Sequence, residues 1–197
     1  MIGFSLIWPR SRKSNSIEPG ALPGSGQGGR MVWVCLVVFV ATNGLRTYVE
    51  FTAQEESDQA GPVMALVGVS MALLWISWFL MCHYDPHLVA LPRGVVWGGL
   101  ISCLLGSLLF LAALVQLRGV ISPGRLIRNG VFAKFRHPMY VGFLFWLAGF
   151  PLYTGSLIGL ALAVPAMANV LIWRWREELA LCRSYPEYAE YKNSTWF

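Results

Sequence analysis

Two short segments carry residue types that could bind a charged ligand or take part in a reaction. The first is Arg136-His137-Pro138, which stands directly before a long apolar stretch. Proline is favoured at the first position of a helix, where its missing N–H costs nothing. His137 would then lie near the N-cap, and the unpaired backbone N–H groups of Met139 and Tyr140 would form a site for a carboxylate or phosphate. The alternative is a basic anchor at a bilayer surface with an interfacial tyrosine.

The second segment is "RWREELALCRSYPEYAEYKN", residues 174–193. Arg174 and Glu178 are four residues apart and therefore share one face of a helix. Adjacent acids such as Glu177 and Glu178 are costly near hydrocarbon unless they have partners. In one interpretation Arg174 and Glu178 form only a salt bridge at the membrane surface. In the other, Glu178 accepts hydrogen bonds from ligand hydroxyl or ammonium groups, and Arg174 holds an anionic group or the reacting centre.

The composition determines which structural elements must position these residues. Hydrophobic residues make up 56% of the 197 residues and charged residues only 13%, against roughly 25% charged in soluble domains. Residues 62–82, 94–117 and 139–173 contain no Asp, Glu, Lys or Arg. Because about 20 apolar residues cross a bilayer core of ~30 Å, the sequence predicts an integral membrane protein. The basic residues lie beside these stretches, which favours membrane lipids or an anionic ligand as neighbours and not nucleic acid.

The uncharged stretches predict an all-α, polytopic fold with about five transmembrane helices. A single helix over 139–173 would be ~52 Å long, so this stretch must contain two helices. The segment "GFPLYTGS" supplies Gly149, Pro151 and Gly155 for the turn between them. Glycine pairs at 94/98 and 155/159 would permit close helix contacts. The expected divisions are a flexible segment at 1–30, transmembrane helices 1–3 at 31–117, and a catalytic region with helices 4–5 and a C-terminal helix at 118–197.

A hairpin of the last two spans places the His137-Pro138 helix start beside the Arg174/Glu178 helix end, so that both frame one pocket. Lysine and arginine are more numerous on the side that holds the 118–138 loop and the C-terminus, which predicts that the pocket faces the cytoplasm. The motif "HYDPH" at 83–87 suggests a metal, but Pro86 interrupts helical spacing and no third ligand cluster is evident. No metal site is expected.

The ordered motifs resemble those of a known family. The first runs Gly130-x-Phe132-x-x-x-Arg136-His137-Pro138-x-Tyr140-x-Gly142, and a hydrophobic hairpin, Glu177-Glu178-x-x-Leu181 and the tyrosines 185, 188 and 191 follow it. This order, over about residues 116–192, is similar to the integral-membrane methyltransferases, the isoprenylcysteine carboxyl methyltransferase and phospholipid methyltransferase superfamily.

The resemblance implies an enzyme that transfers a methyl group from S-adenosylmethionine at the cytoplasmic face. It implies that Arg174 and Glu178 are catalytic, with Arg174 facing the acceptor. The implied cofactor-binding residues are Gln116, Gly124, Arg125, Leu126, Ile127, Phe132, His137, Pro138, Met139, Tyr140 and Glu178. The acceptor would be lipid-like or prenylated and would enter between helices. A carboxylate, an amine and a thiol all remain open, with Glu177 as a possible base for an amine.

Two other function classes remain open. One is a membrane reductase of related architecture that uses a nicotinamide cofactor, and the other is a non-catalytic membrane protein. Binding of S-adenosylmethionine distinguishes the first from a methyltransferase, and failure to bind any nucleotide cofactor would favour the second.

Overall fold

The computed structural model describes residues 25–52, 61–118 and 126–197. These residues form helices and connecting loops, with two isolated backbone bridges and no β-strand among them. The helices are α1 (Ser25–Thr52), α2 (Gly61–Tyr84), α3 (Arg93–Arg118), a 3₁₀ helix (Gly130–Ala133), α4 (Pro138–Thr154), α5 (Leu157–Ser184) and α6 (Tyr188–Ser194). The prediction of an all-α membrane fold is confirmed. Helix α1 begins at Ser25, before the expected start of the first span at residue 31.

Within the described ranges, four helices, α1, α2, α3 and α5, are long and apolar enough to cross a membrane. The sequence predicted about five spans, and α4 is the helix that differs. Its 17 residues give a length of about 25 Å, below the ~30 Å of a hydrocarbon core. Helix α4 is short because Pro138 begins it and Gly155, with φ +71°, ends it in the left-handed conformation.

The turn between α4 and α5 is tighter than predicted. Gly155 and Ser156 make it, whereas Gly149 and Pro151 lie inside α4. Ser156 is the N-cap of α5, and its Oγ accepts a hydrogen bond from the backbone N–H of Gly159 at 2.9 Å. The predicted hairpin of the last two helices is therefore present, with a different turn.

Helices α3 and α4 pack antiparallel through two pairs of glycines. A Cβ on Gly99 would lie 2.6 Å from the carbonyl oxygen of Gly149, and a Cβ on Gly106 would lie 2.8 Å from that of Gly142. Backbones at such a distance leave no room for a side chain. Gly94 and Gly98, by contrast, face open space, so that expected contact pair is not used.

Aromatic side chains fill the space between α2, α3 and α4. The Trp75 ring centroid lies 4.8 Å from that of Phe143 and 5.0 Å from that of Trp146, and Phe110 lies 5.2 Å from Trp146. Offset and edge-to-face pairs of this kind add to the stabilisation that burial provides. This cluster fixes the position of α4, whose N-cap residue is His137.

At the opposite end of the hairpin, the "HYDPH" segment holds the α4–α5 turn. Asp85 Oδ2 accepts hydrogen bonds from Ser156 Oγ at 2.7 Å and from the Ile158 N–H at 2.8 Å, and Oδ1 accepts one from the His87 N–H at 2.9 Å. The Asp85 side chain has no solvent exposure. Through these three hydrogen bonds, the carboxylate joins the α2–α3 loop to the hairpin.

Candidate active site

The start of α4 has the geometry that the sequence predicted. Pro138 occupies the first helical turn, and His137 is the N-cap residue, whose carbonyl oxygen accepts a hydrogen bond from the Val141 N–H at 3.1 Å. The His137 side chain makes no capping hydrogen bond to this helix start. The first backbone N–H groups of the helix, those of Met139 and Tyr140, therefore lie at the positive end of the helix dipole and are available to a ligand.

The carboxylate of Glu178 is the centre of the site. Its Oε1 accepts hydrogen bonds from Arg174 Nη2 at 3.0 Å and from Arg136 Nε at 3.1 Å, and its Oε2 accepts one from Lys192 Nζ at 3.3 Å. Glu178 is only 7% exposed. The predicted Arg174–Glu178 pair is present, but two further cations join it. Three positive groups share one carboxylate, which leaves a surplus of positive charge beside the start of α4.

Arg136 owes its position to the C-terminal segment. Its Nη1 donates to the carbonyl oxygens of Lys192 and Thr195, both at 2.7 Å. Backbone hydrogen bonds join the same segments: the Arg136 N–H donates to Trp196 O at 3.1 Å, and the Trp196 N–H donates to Lys134 O at 2.7 Å. The chain after α6 thus folds back over the site. The sequence-based site residues did not include Arg136 or Lys192.

His137 is buried between the two adjacent carboxylates. Its Nε2 lies 3.7 Å from Glu178 Oε1 and its Nδ1 lies 3.9 Å from Glu177 Oε2, while the Tyr188 hydroxyl lies 3.4 Å from Nε2. Burial lowers the pKa of His137 to about 4, and nearby Arg174 adds to this effect although Glu178 opposes it. The imidazole is therefore neutral at pH 7, and its approach to the carboxylates is not an ion pair at that pH.

Two tyrosines connect α6 to the loop before α4. Tyr188 is 1% exposed, and its ring lies 5.9 Å from that of Tyr191. The Tyr191 hydroxyl donates to the carbonyl oxygen of Phe132. Burial raises the pKa of both tyrosines, which keeps the hydroxyls protonated as hydrogen-bond donors. The predicted residue Phe132 is thus joined to His137 through these two tyrosines.

Gln116 lies at the other side of the same loop. Its Oε1 accepts a hydrogen bond from the Val131 N–H at 3.1 Å. Gly130 has φ +59°, a left-handed conformation that favours glycine, and a Cβ there would meet the side-chain amide of Gln116. Among the other predicted cofactor residues, Leu126 and Ile127 are partly buried at the start of this loop, whereas Gly124 and Arg125 lie outside the described residues.

The structure therefore brings the two predicted segments into one cluster. His137, Arg174 and Glu178 are in mutual proximity, Phe132 is linked to them through the tyrosines, and the Tyr140 ring lies 5.6 Å from that of His137. A sequence signal for the missed residue Arg136 existed, because it precedes His137 directly. Lys192 offered no such signal, since its contact depends on how α6 returns to α5.

Comparison with known proteins agrees with the motif order. Residues 96–188 match the sequence model of the phospholipid methyltransferase family, a member of the integral-membrane methyltransferase superfamily. No curated protein and no solved structure matches the chain. The matched region includes most of α3, all of α4 and α5, and every residue of the His137–Arg174–Glu178 cluster. The resemblance is thereby confirmed, and the family indicates a multi-pass membrane methyltransferase.

Proposed function

With the family match over 96–188 as its premise, we propose that the protein is an S-adenosylmethionine-dependent methyltransferase that acts on a lipid-like acceptor in the membrane. The observation that carries the proposal is the contact between the uncapped start of α4 and the Glu178 cluster. This contact joins the two halves of the family motif, which are separated by a whole helical hairpin in the sequence.

The charges of this cluster fit the amino-acid end of S-adenosylmethionine. A carboxylate suits the free N–H groups at the start of α4 together with the surplus positive charge of Arg136, Arg174 and Lys192. Glu178 provides the negative charge that an ammonium group requires. On the family analogy, Phe132, Gln116 and residues 124–127 contact the adenosine.

Arg174 is proposed to face the acceptor. Its Nη2 donates to Glu178, but its Nε is buried and has no hydrogen-bond partner in the described parts of the chain. Its guanidinium lies 4.2 Å from the ring centroid of Phe197. A buried donor without a partner is costly, and an oxygen of a bound acceptor would satisfy it.

The cofactor supplies a methyl group on a sulfonium, which an acceptor attacks in line, so the protein has little covalent chemistry to perform. Its contribution is to hold the two reactants in contact and to exclude water. A carboxylate acceptor would be oriented by Arg174. An amine acceptor must lose a proton, and Glu177, whose side chain is 44% exposed beside Tyr140, is placed to accept it.

Calorimetric titration of the detergent-purified protein with S-adenosylhomocysteine tests this proposal. The wild type is expected to bind, and Glu178→Gln is expected to weaken binding by about tenfold or more, the scale of one lost charged hydrogen bond. His137→Ala is expected to weaken binding as well, because it changes the residue that begins the anion-binding helix start. Glu187→Gln, at an exposed position on the same face of the protein, is the matched control and is expected to bind as the wild type does. A folded wild type that does not bind contradicts the proposal, and a parallel titration with NADPH tests the reductase alternative.

A further inference from the structure

The interface between α1 and α5 contains charged side chains for which the proposed function has no use. Arg46 and Glu50 form an ion pair on α1, with 17% and 16% of their side chains exposed. Charges within a transmembrane helix are costly and are found mostly where a partner or a ligand needs them. Helix α1 lies outside the matched region 96–188, so the family match assigns no role to this pair.

Uncharged hydrogen bonds already hold α1 against α5. Asn169 Nδ2 donates to Asn43 Oδ1 at 3.0 Å, and Thr47 Oγ1 lies 3.1 Å from Asn169 Oδ1. Trp173 Nε1 donates to Thr47 Oγ1 at 2.9 Å. Polar side chains of this kind are sufficient to join two helices in a membrane. The Arg46–Glu50 pair is therefore not needed to attach α1.

Two arginines at this interface each lie against an aromatic ring of the opposite helix. The Arg46 guanidinium lies 5.6 Å from the Trp173 ring centroid, and the Arg176 guanidinium lies 4.3 Å from the Phe51 ring centroid. Arg176 Nε is buried and, within the described chain, has no hydrogen-bond partner. An arginine that rests on an aromatic ring keeps its in-plane N–H groups available for a ligand.

Glu177 connects the interface to the transfer site. It follows Arg176 directly, and its Oε2 lies 3.9 Å from His137 Nδ1. Arg46 and Glu50 lie within electrostatic range of the Glu177 carboxyl and of the Tyr140 hydroxyl. A group held by the two arginines would therefore lie near Glu177 and so close to the transfer site.

We propose that Arg46 and Arg176 bind the anionic group of the methyl acceptor, a phosphate or a carboxylate, at the α1–α5 interface. This inference rests on the proposed methyltransferase function and identifies the side from which the acceptor reaches the pocket. Arg46 binds the anion through N–H groups that Glu50 does not use, and Arg176 contributes its unpartnered Nε. Guanidinium groups bind both phosphate and carboxylate through paired, charge-assisted hydrogen bonds, so an acceptor with either group would fit this site.

The test measures acceptor binding separately from cofactor binding. The protein in detergent is titrated with dihexanoyl phosphatidylethanolamine and with N-acetyl-S-farnesylcysteine, and binding is followed by tryptophan fluorescence. The variants are Arg176→Gln and the double variant Arg46→Gln/Glu50→Gln, which removes the pair without leaving a single buried charge. Arg183→Gln, an exposed position near the end of α5, is the control.

One probe is expected to bind the wild type, and its identity distinguishes phosphate from carboxylate. Both test variants are expected to lose about tenfold in affinity for that probe, the equivalent of one charged hydrogen bond, and to keep their affinity for S-adenosylhomocysteine. The control is expected to match the wild type. Wild-type affinity in either test variant, or a wild type that binds neither probe, overturns the inference. A wild type that binds a probe but not S-adenosylhomocysteine contradicts the proposed function instead.

Discussion

Gly106 of α3 and Gly142 of α4 face each other so closely that a Cβ on either residue would lie 2.8 Å from the carbonyl oxygen of the other. Seven residues along each helix, Gly99 and Gly149 repeat this reciprocal contact. Helix α4 begins at Pro138, directly after His137, so the contact with α3 determines where one wall of the proposed active site lies. The stability of this helix pair is therefore expected to influence the site directly.

Replacement of Gly106 by alanine is expected to destabilise the protein. The new Cβ would meet the Gly142 backbone, which cannot move aside as a flexible side chain could, and overpacking of this kind costs about 1–3 kcal/mol. Gly98→Ala is the control, because nothing lies within 4 Å of its Cβ position. Thermal unfolding in detergent measures both variants. Equal melting temperatures for the two would show that the close α3–α4 contact is not present in the protein.

Acidification is expected to destabilise the folded protein through His137. The pKa of this histidine is about 4 in the folded state and about 6.5 in an unfolded chain. Between these values the unfolded state binds more protons, so the stabilisation is complete above about pH 6.5 and decreases as the pH falls toward 4. The expected loss is about 1.4 kcal/mol at pH 5.5 and about 3 kcal/mol at pH 4. Thermal unfolding as a function of pH measures it.

His137→Asn serves as the comparison for this pH dependence. Asparagine has no titrating group, while every other ionisable group is common to both proteins. The difference in stability between the wild type and His137→Asn should therefore change across this pH interval. A constant difference from pH 7.5 to pH 4.5 would show that His137 is not buried in the neutral form.

Removal of the Asp85 carboxylate is expected to destabilise the protein without affecting cofactor binding. Asp85→Ala leaves the Ser156 hydroxyl and the backbone N–H groups of His87 and Ile158 without their acceptor, a loss of about 2–4 kcal/mol. His87→Ala, at a side chain with 67% exposure, is the matched control. Both variants should bind S-adenosylhomocysteine as tightly as the wild type while folded, because Asp85 lies at the end of the hairpin opposite His137. Weaker binding by folded Asp85→Ala would show that this end of the hairpin also influences the proposed site.

The side of the membrane that holds the proposed site can be determined with Cys182. The four cysteines are Cys35 and Cys82, both buried, Cys103, which is half-buried in α3, and Cys182, which is exposed at the end of α5. A membrane-impermeant maleimide is expected to label Cys182 in inside-out vesicles and not in right-side-out vesicles. Cys182→Ser should abolish the labelling. The opposite pattern would place the site on the non-cytoplasmic side.

Local sequence signals predicted the parts of the fold that depend on neighbouring residues. The start of α4 followed from Pro138, because proline restricts the chain wherever it occurs. The Arg174–Glu178 pair followed from a spacing of four residues on one helix. The position of the hairpin turn was predicted only in part. Gly155 is in the turn, but Pro151 lies inside α4, since a proline is tolerated within a helix that its neighbours hold in place.

Contacts between distant segments could not be predicted from the sequence alone. Arg136 reaches Glu178 across 42 residues, and Lys192 reaches it only because α6 and the following chain return to α5. The glycines that join α3 and α4 are seven residues apart on each helix, so a search for the four-residue spacing found Gly94 and Gly98 instead. In each case the contact depends on a distant partner segment, which the local sequence pattern does not specify.

The location of Arg46 on α1 has a consequence for how such a protein can diversify. Helices α1 and α2 precede the matched region, whereas α3, α4 and α5 supply the residues of the proposed methyl-transfer site. With the acceptor's anion bound jointly by α1 and α5, one part of acceptor recognition would be encoded upstream of the region that encodes methyl donation. New acceptors could then arise through mutation or exchange of the first two helices, while the chemistry encoded downstream is inherited unchanged.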